Sequence, residues 1–263
     1  MNQSYIHPDA KIGKNVVIEP FSYIAATAEI GDGCRIGPHT TILDNVRIGK
    51  NCRIYPGAII GGEPQDYKFG GEVTYVEIGD NTIIREYVTI NRGTLKSGRG
   101  TTKVGSGCMI MSYAHIAHDC NIADNVVLVS YVGIAGVTDV DEFAIIGGHS
   151  AAHQFTHIGA HSMLSGGSMI GKDVPPYIVA GRRPLSFGGV NVIGLRRRGF
   201  SNEKIDEIRD IYKVIYHNGL NTTDACERLE SDFKESQEMR IIVDFIKSSR
   251  RGIIRGSVDS LDE

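Results

Sequence analysis

Two histidines and a carboxylate lie close together in the segment AHIAHDC, residues 114–120. His115 and His118 are three residues apart, and Asp119 follows the second histidine directly. A neutral imidazole can take a proton from a hydroxyl group near neutral pH, and an adjacent carboxylate can fix its tautomer. Three interpretations are open at this point: a proton-transfer pair, a metal site, and hydrated polar side chains on the surface.

The elements that position these residues are predicted by a repeat of six residues. Large aliphatic side chains occupy every sixth position through residues 6–60 and 78–90 and, after a slip of two residues, through 104–170 with Ala152 as an exception. A small or β-branched residue usually follows four positions later, and Asp, Asn or Gly often fills the positions between, as turns require. A period of six does not fit an α-helix. Each hexad therefore predicts a short strand and a corner, with the aliphatic and the small residue pointing inward.

Three hexads make one triangular coil of 18 residues, so an all-β parallel β-helix, a hexapeptide-repeat solenoid, is predicted over residues 1–176. Residues 18 apart then stack on neighbouring coils at the spacing of adjacent strands, about 4.8 Å. Two polar, glycine-rich segments, near 61–77 and 91–103, interrupt the period and are predicted to leave the coils as excursion loops. Insertions that collect on one face of a solenoid often mark its binding face.

The repeat ends at Pro175 and Pro176, and a C-terminal α-helical domain is predicted over residues 177–263. Apolar residues at helical spacing predict one helix after Ser201, its expected N-cap, a second from Thr222, and a third in the segment MRIIVDFIKSSR. This domain is expected to cap the open end of the solenoid.

The composition argues against several classes of protein. The formal net charge of −3 is unlike the basic excess of nucleic-acid-binding proteins. No apolar run approaches the roughly 20 residues of a membrane span, and the N-terminus lacks a secretion signal, so a cytoplasmic protein is expected. Five cysteines without a CxxC motif indicate reduced thiols, and Cys34 and Cys52 are expected to stack as small core residues.

The hexad frame turns both histidines of the segment outward, because the aliphatic position between them is the inward one. Stacking at 18 residues places Gly136 and Gln154 in the column of His118, with His153 in a neighbouring column. His118, Gly136, His153 and Gln154 are therefore expected to form one outer patch about 10 Å long, as judged from the strand spacing. A lone histidine at a coil edge is often only a hydrated surface residue. A cluster of such residues makes that interpretation weaker.

A metal site would need three or four converging ligands. The four histidines within residues 149–161 recur at every fourth position, but on coils they are scattered over corners and faces, so no metal site is predicted within one chain. Ligands shared between the chains of a trimer remain the metal alternative. Proton transfer fits the cluster better, although the sequence does not establish whether Asp119 contacts His118 within one chain.

Charged side chains mark two further places. Asp66 and Lys68 lie in the first excursion loop, where they could hold sugar hydroxyls and a phosphate or could simply be hydrated. Three arginines at 196–198 precede the first predicted helix. Arginine suits phosphate groups through forked hydrogen bonds, and a basic patch attracts acidic partner proteins; the plainer interpretation is a basic entry to a helix.

These segments resemble those of one family, the UDP-N-acetylglucosamine O-acyltransferases, and the likeness extends from about residue 5 to residue 255. Its specific motifs are QDYKFGGE (65–72), AHIAHDC (114–120), DEFAIIGG (141–148), AAHQF (151–155), DVPPY (173–177) and VNVIGLRRRGF (190–200). Several long motifs in order are much more specific than the hexapeptide period by itself.

The resemblance implies that the β-helix is left-handed and that three chains form a homotrimer with active sites in the clefts between them. It implies transfer of a (3R)-hydroxyacyl group from acyl carrier protein to the 3-hydroxyl of UDP-N-acetylglucosamine, the first step of lipid A synthesis. It implies no metal and no tightly bound cofactor, because the acyl donor arrives on the phosphopantetheine of its carrier.

The resemblance also assigns roles to residues. His118 matches the general base, Asp119 the carboxylate that orients it, and Gly136 the glycine whose backbone N–H stabilises the oxyanion. The matches to substrate-binding positions are Asp66 and Lys68 in the substrate loop, His115, His153 and Gln154 at other substrate contacts, and Asn191 and Arg197 near the nucleotide and its phosphates.

The sequence departs from the family pattern at Val137 and Asn91, where histidines are expected, and at Ile193, where a glutamate is common. Gly166 matches the residue that measures acyl length. Because glycine leaves room there, with Pro184 near the same wall, a long acyl chain is predicted.

Two other functions are weighed against this one. A coenzyme-A-dependent sugar acetyltransferase could share the hexapeptide repeat, but the QDYK loop and the helical cap favour the first interpretation. A solenoid scaffold without enzymatic activity would function fully without His118.

Overall fold

The structure is a computed structural model that describes residues 3–96 and 98–256. Residues 1 and 263, the outer bounds of the two predicted domains, therefore lie outside the described residues, as does Ser97 in the second predicted loop.

Short strands form three parallel sheets that make the sides of a triangular solenoid. The first sheet contains β1 (Tyr5–Ile6), β4 (Tyr23–Ile24), β7 (Thr41–Ile42), β10 (Ile59–Gly62), β13 (Thr89–Asn91), β16 (His115–Ile116), β19 (Gly133–Ile134), β22 (Ala151–Ala152) and β25 (Met169–Ile170). The second contains β2 (Lys11–Ile12), β5 (Glu29–Ile30), β8 (Val46–Ile48), β11 (Tyr75–Ile78), β14 (Thr101–Val104), β17 (Asn121–Ile122), β20 (Asp139–Val140) and β23 (His157–Ile158). The third contains β3 (Val17–Ile18), β6 (Arg35–Ile36), β9 (Arg53–Ile54), β12 (Ile83–Ile84), β15 (Met109–Ile110), β18 (Val127–Leu128), β21 (Ile145–Ile146), β24 (Met163–Leu164), β26 (Ile178–Gly181) and β27 (Ser186–Val190).

The predicted left-handed parallel β-helix with a C-terminal helical domain is confirmed. Each coil pairs with the next in parallel, as where His115 pairs with Gly133 and Ile116 with Ile134. From Ile24 onward the inward isoleucines are buried along the axis, and full burial of such a side chain stabilises a fold by about 1.5–3 kcal/mol. Cys34 and Cys52 are free and completely buried among them, as expected for core residues.

The two interruptions of the period are loops, and both leave the corner between the first and second sheets. Ile60 pairs with Ile90, so the insertion before β11 is absorbed as a loop, here called loop one (63–74). The second, loop two (92–100), follows β13. Both are shorter than predicted, because β10, β11, β13 and β14 extend into the segments 61–77 and 91–103.

The helices begin later than the end of the hexads suggests. Strand β26 pairs in parallel with β24, and β27 then pairs with β26 in antiparallel fashion, so the third sheet continues past the predicted boundary at residues 176 and 177. The helices are α1 (Val192–Arg197), α2 (Asn202–His217), α3 (Thr222–Asp232) and α4 (Gln237–Ser248). The predicted N-cap of α2 is confirmed, since the side chain of Ser201 accepts a hydrogen bond from the N–H of Lys204. Helix α1 was not predicted.

A column of stacked rings joins the last coils to the helical domain. His161 lies between Phe143 and Tyr177, with ring centroids 4.9 and 5.6 Å away, and Phe200 packs against its edge. His161 is only 7% exposed. Burial, aided by the positive charge of Arg198, lowers the pKa of this imidazole to about 4, so the ring is neutral near neutral pH.

The lowered pKa of His161 predicts a loss of stability on acidification. Between pH 6.5 and pH 4 the unfolded chain binds a proton at this site that the folded chain does not, so stability falls as pH falls through that window, by up to roughly 3 kcal/mol. His161→Phe keeps the stack and removes the proton site. Its melting temperature should therefore exceed that of the wild type by more at pH 5 than at pH 7.5.

The control for this comparison is His39→Phe, which makes the same change in an exposed ring that stacks on Phe21. An advantage of His161→Phe that is equal at the two pH values would contradict the prediction.

Candidate active site

His118 and Asp119 form a hydrogen-bonded pair at the corner between β16 and β17. The imidazole Nδ1 lies 2.8 Å from Oδ2 of Asp119. Asp119 has a φ of 59°, in the left-handed region, and this conformation brings two consecutive side chains together at the corner. The contact that the sequence left open is therefore made within one chain.

The carboxylate of Asp119 is completely buried and is held by loop two. The backbone N–H of Thr94 donates to both carboxylate oxygens, at 2.9 and 3.0 Å, and the Thr94 hydroxyl donates to Oδ2 at 2.8 Å. The N–H of Asp119 itself donates to the hydroxyl of Thr102 at 2.8 Å. Sequence analysis missed both threonines, because Thr94 lies in an excursion loop that has no register with the hexads.

This arrangement fixes the direction of the imidazole. When Nδ1–H donates to the carboxylate, the lone pair of Nε2 is free to take a proton. The His118 side chain is 16% exposed, and within the described part of the chain Nε2 makes no hydrogen bond. The ring therefore has the geometry of a general base that is oriented by a buried acid.

Gly136 lies one coil on from His118, beneath the ring. A Cβ added to this buried glycine would lie 2.5 Å from Nε2 and 2.6 Å from Cε1 of His118, so the ring occupies space that a side chain would need. Among the backbone hydrogen bonds of the described residues, the N–H of Gly136 makes none. The structure thus brings a proton acceptor beside a backbone donor.

The other predicted substrate contacts beside His118 are near the surface. His115 lies on β16, half-buried, with its Nδ1 2.7 Å from the hydroxyl of Thr89, and burial lowers its pKa. His153 and Gln154 are exposed one coil beyond Gly136, and Nδ1 of His153 lies 3.0 Å from the backbone oxygen of Gln154. Their side chains remain available to a ligand.

Loop one carries Asp66 and Lys68. Asp66 accepts a hydrogen bond from the N–H of Lys68 at 2.9 Å, while the Lys68 side chain is exposed. The loop is docked on loop two, because the guanidinium of Arg92 contacts Glu63 at 3.1 Å and stacks on Phe69.

Asn91, where the family pattern has a histidine, is the last residue of β13 and holds loop one against this strand. Its Nδ2 donates to the backbone oxygen of Glu63 at 2.8 Å. The departure at this position therefore serves the anchoring of loop one. Of the other two departures, Val137 donates its N–H to the backbone oxygen of His118, and Ile193 is 67% exposed on α1.

Three predicted residues lie apart from the pair in a single chain. The amide of Asn191 is buried and is used twice, since its oxygen caps α1 at the N–H of Gly194 and its nitrogen donates to the backbone oxygen of His161. Arg197 is exposed on α1. Gly166 is exposed, and a Cβ there would meet the backbone oxygen of Gly148 at 3.1 Å. Within the described residues, none of the three shares a hydrogen bond with His118.

A basic groove with a volume of about 560 Å³ lies between the last strand of the first sheet, the connection from β26 to β27 and the segment that follows α4. Its cationic side chains are Lys172, Arg182, Arg183 and Arg255, and its apolar wall includes Met169, Leu185 and Ile254. Residues 174–202 contain five arginines and no acidic residue, and two of these arginines line the groove. Arg255 comes from a segment 72 positions beyond Arg183 and joins the groove only in the folded chain.

The described residues provide no metal site and no membrane helix. No group of three histidine, cysteine, aspartate or glutamate side chains converges among them. Within the same residues, no helix has both the length and the apolarity to cross a membrane.

Family models match three parts of the chain. The model described as UDP-N-acetylglucosamine O-acyltransferase, domain 2, matches residues 173–254. The bacterial transferase hexapeptide model matches residues 101–136, and the model of the GMPPB C-terminal domain matches residues 1–95.

Curated relatives and solved structures agree with the first of these models. The chain is 44% identical to the acyl-(acyl-carrier-protein)–UDP-N-acetylglucosamine O-acyltransferase of Burkholderia orbicola, over 75% of this chain and 77% of the relative. It resembles the crystal structure of the UDP-N-acetylglucosamine acyltransferase from Bacteroides fragilis, at 48% identity and a TM-score of 0.94, over 97% of this chain and 99% of that one. The Francisella novicida enzyme matches at 39% identity and a TM-score of 0.93, over 99% and 95% of the two chains. The chain is therefore an acyltransferase that belongs to the family of acyl-(acyl-carrier-protein)–UDP-N-acetylglucosamine O-acyltransferases.

Proposed function

We propose that this chain transfers a (3R)-hydroxyacyl group from acyl carrier protein to the 3-hydroxyl of UDP-N-acetylglucosamine, the first step of lipid A synthesis. The observation that carries the proposal is the His118–Asp119 pair, with its free Nε2 directly beside Gly136. The names of the relatives above support the two substrates.

His118 acts as the general base. Its Nε2 takes the proton of the sugar hydroxyl while the hydroxyl oxygen attacks the thioester carbonyl, and Asp119 stabilises the imidazolium that forms. The tetrahedral intermediate then collapses: the C–S bond breaks, and the imidazolium returns the proton to the departing thiolate of the phosphopantetheine. The step needs no metal and no tightly bound cofactor, because the thioester is already activated.

The N–H of Gly136 donates to the oxyanion of that intermediate. The absence of a backbone acceptor for this N–H within the described residues supports the role, since a donor that is fixed in place needs no reorganisation as charge develops. His115, His153 and Gln154 contact the substrates along the same corner. Asp66 and Lys68, which lie in loop one, bind the sugar and the phosphate of the substrate.

Arg197 contacts the nucleotide phosphates, and its exposure on α1 supports this role. A direct contact by Asn191 has less support, because its side-chain amide is buried and already makes two hydrogen bonds. Gly166 measures the acyl chain and admits a long one. The carrier protein docks near the basic groove, whose four cations suit an acidic partner.

Three chains form the active unit. A stack of exposed rings supports this: Tyr87, Tyr113 and Tyr131 have centroids 5.2 and 4.9 Å apart and are 54, 48 and 50% exposed. A continuous apolar stripe of this kind on a single chain is typical of a contact between subunits. A trimer would also bring Arg197, Gly166 and the groove of one chain toward His118 of another.

His118→Ala should reduce turnover of UDP-N-acetylglucosamine with hydroxyacyl carrier protein by about 10²–10⁴-fold, because a general base contributes that much. The measurement is the steady-state rate with purified, folded enzyme. Full activity in the variant would contradict the role of His118 as general base. A wild-type protein without turnover would favour the scaffold interpretation, and turnover of acetyl-coenzyme A in preference to the carrier protein would favour the sugar acetyltransferase.

Gly136→Ala should lower kcat by about 10²-fold, because the added Cβ displaces the His118 ring from Asp119 and small displacements of a catalytic group have costs of this size. Gly133→Ala lies in the same coil and adds a Cβ that meets no atom within 4 Å, so it controls for the effect of the methyl group on melting temperature. A wild-type kcat in Gly136→Ala would count against this geometry.

Tyr113→Glu should shift the protein from trimers to smaller species in sedimentation velocity, since a buried unpaired carboxylate destabilises an interface. Ile241→Glu provides the control, as this residue of α4 is 37% exposed and lies away from the tyrosine stack. A wild-type protein that sediments as a monomer would contradict the proposed assembly.

A further inference from the structure

Loop two contacts the His118–Asp119 pair directly through Thr94. Thr94 is 3% exposed and directs two donors at the carboxylate of Asp119. Its hydroxyl lies 2.8 Å from Oδ2, which is the same oxygen that binds Nδ1 of His118 at 2.8 Å. One carboxylate oxygen is therefore shared by the threonine hydroxyl and the imidazole.

The loop is shaped to make this contact. A Cβ at Gly93 would lie 2.8 Å from Oδ1 of Asp119 and 2.3 Å from the backbone nitrogen of Thr101, so only glycine allows the chain to pass this closely. Farther along the loop, Arg99 donates to the backbone oxygen of Asp119 at 2.9 Å and forms a bidentate pair with Asp139 at 2.9 and 2.8 Å. Both ends of loop two are thus fixed to the coil that carries His118.

We propose that Thr94 is a positioning residue for the reaction: its hydroxyl holds the Asp119 carboxylate in the plane that His118 needs and limits how strongly that carboxylate stabilises the imidazolium. The inference rests on the proposed function, since it assumes that His118 is the general base. Thr94 binds Asp119, which in turn binds Nδ1 of His118, so Thr94 acts on the general base through Asp119.

Two physical effects follow from the shared oxygen. The Thr94 hydroxyl removes one way for the carboxylate to rotate, so the imidazole stays aligned. It also draws electron density from Oδ2, so that removing it leaves a stronger acceptor for His118 Nδ1–H and a carboxylate that stabilises the imidazolium more strongly. The charged groups that face the pair are Asp119 itself, the guanidinium of Arg99 behind its backbone oxygen, and Asp139 paired with Arg99.

The test compares Thr94→Val, which removes the hydroxyl and keeps the N–H and the shape, with Thr94→Ser, which keeps the hydroxyl. Thr94→Val should lower kcat by about tenfold, with little change in KM for either substrate, because a hydrogen bond to a charged group is lost. The acid limb of its kcat/KM profile should move to higher pH. Thr94→Ser should restore both the rate and the profile. Thr94→Ala is the second hydroxyl-free variant, and ring NMR of His118 follows the titration independently of turnover.

The chain contains a matched control. Thr27 also donates its N–H and its hydroxyl to an aspartate on the next coil, Asp44, at 3.1 and 2.9 Å, and among the residues that the structure describes no histidine shares that carboxylate. Thr27→Val makes the same chemical change at the same kind of corner, and it should leave kcat and the pH profile at wild-type values.

A Thr94→Val or Thr94→Ala enzyme with wild-type kcat and pH profile, or a Thr94→Ser enzyme as impaired as Thr94→Val, would overturn the inference. His118→Ala, measured alongside, separates this failure from that of the proposed function. If His118→Ala lowers turnover by about 10²–10⁴-fold and Thr94→Val does not change it, only the role of Thr94 fails. If His118→Ala has wild-type turnover, the general base and the inference that depends on it fail together.

Discussion

The structure depends on one constraint: the strand residues of each coil must hydrogen-bond to their counterparts on the next coil, while an aliphatic side chain fills the axis. Pairing of Ile116 with Ile134 in strict register is one of many repetitions of this contact. Because the register is fixed, so is the neighbour of every outward side chain. His118 lies over Gly136 for this reason, and no local preference of either residue would have brought them together.

The same constraint explains where extra residues can go. An insertion cannot enter the axis without breaking the ladder, so loops one and two leave the solenoid at a corner. Both leave the corner that carries His118. Arg92 of loop two binds Glu63 of loop one, and Asn91 at the end of β13 also holds loop one. Loop two then buries the Asp119 carboxylate. A buried carboxylate is stable only when donors surround it, and Thr94 and His118 supply them.

The helical domain adds what the solenoid lacks. The amide of Asn191 joins the start of α1 to the ring column at His161, and the junction also forms the groove that contains Arg183 and Arg255. Sequence analysis found the N-cap at Ser201 but placed the domain boundary before β26 and did not predict α1. The reason is physical. Strand β26 has no hexad signal of its own and is a strand because β24 offers a free parallel edge, and α1 is too short for its pattern to be distinct from a basic loop.

The sequence by itself determined the solenoid, its inward and outward faces, and the column that contains His118 and Gly136. It could do so because a period of six in side-chain size is visible in the sequence without knowledge of any distant contact. It also identified the residue types of a proton-transfer site. Only the tertiary structure decided that Asp119 contacts His118, that Thr94 and Thr102 hold Asp119, and that the Asn191 amide is used as a cap. The Asp119 contacts join a corner of the solenoid to loop two, which has no periodicity. The Asn191 contacts join the start of α1 to a coil that is distant in sequence. Their partners are set by where the folded chain passes in space.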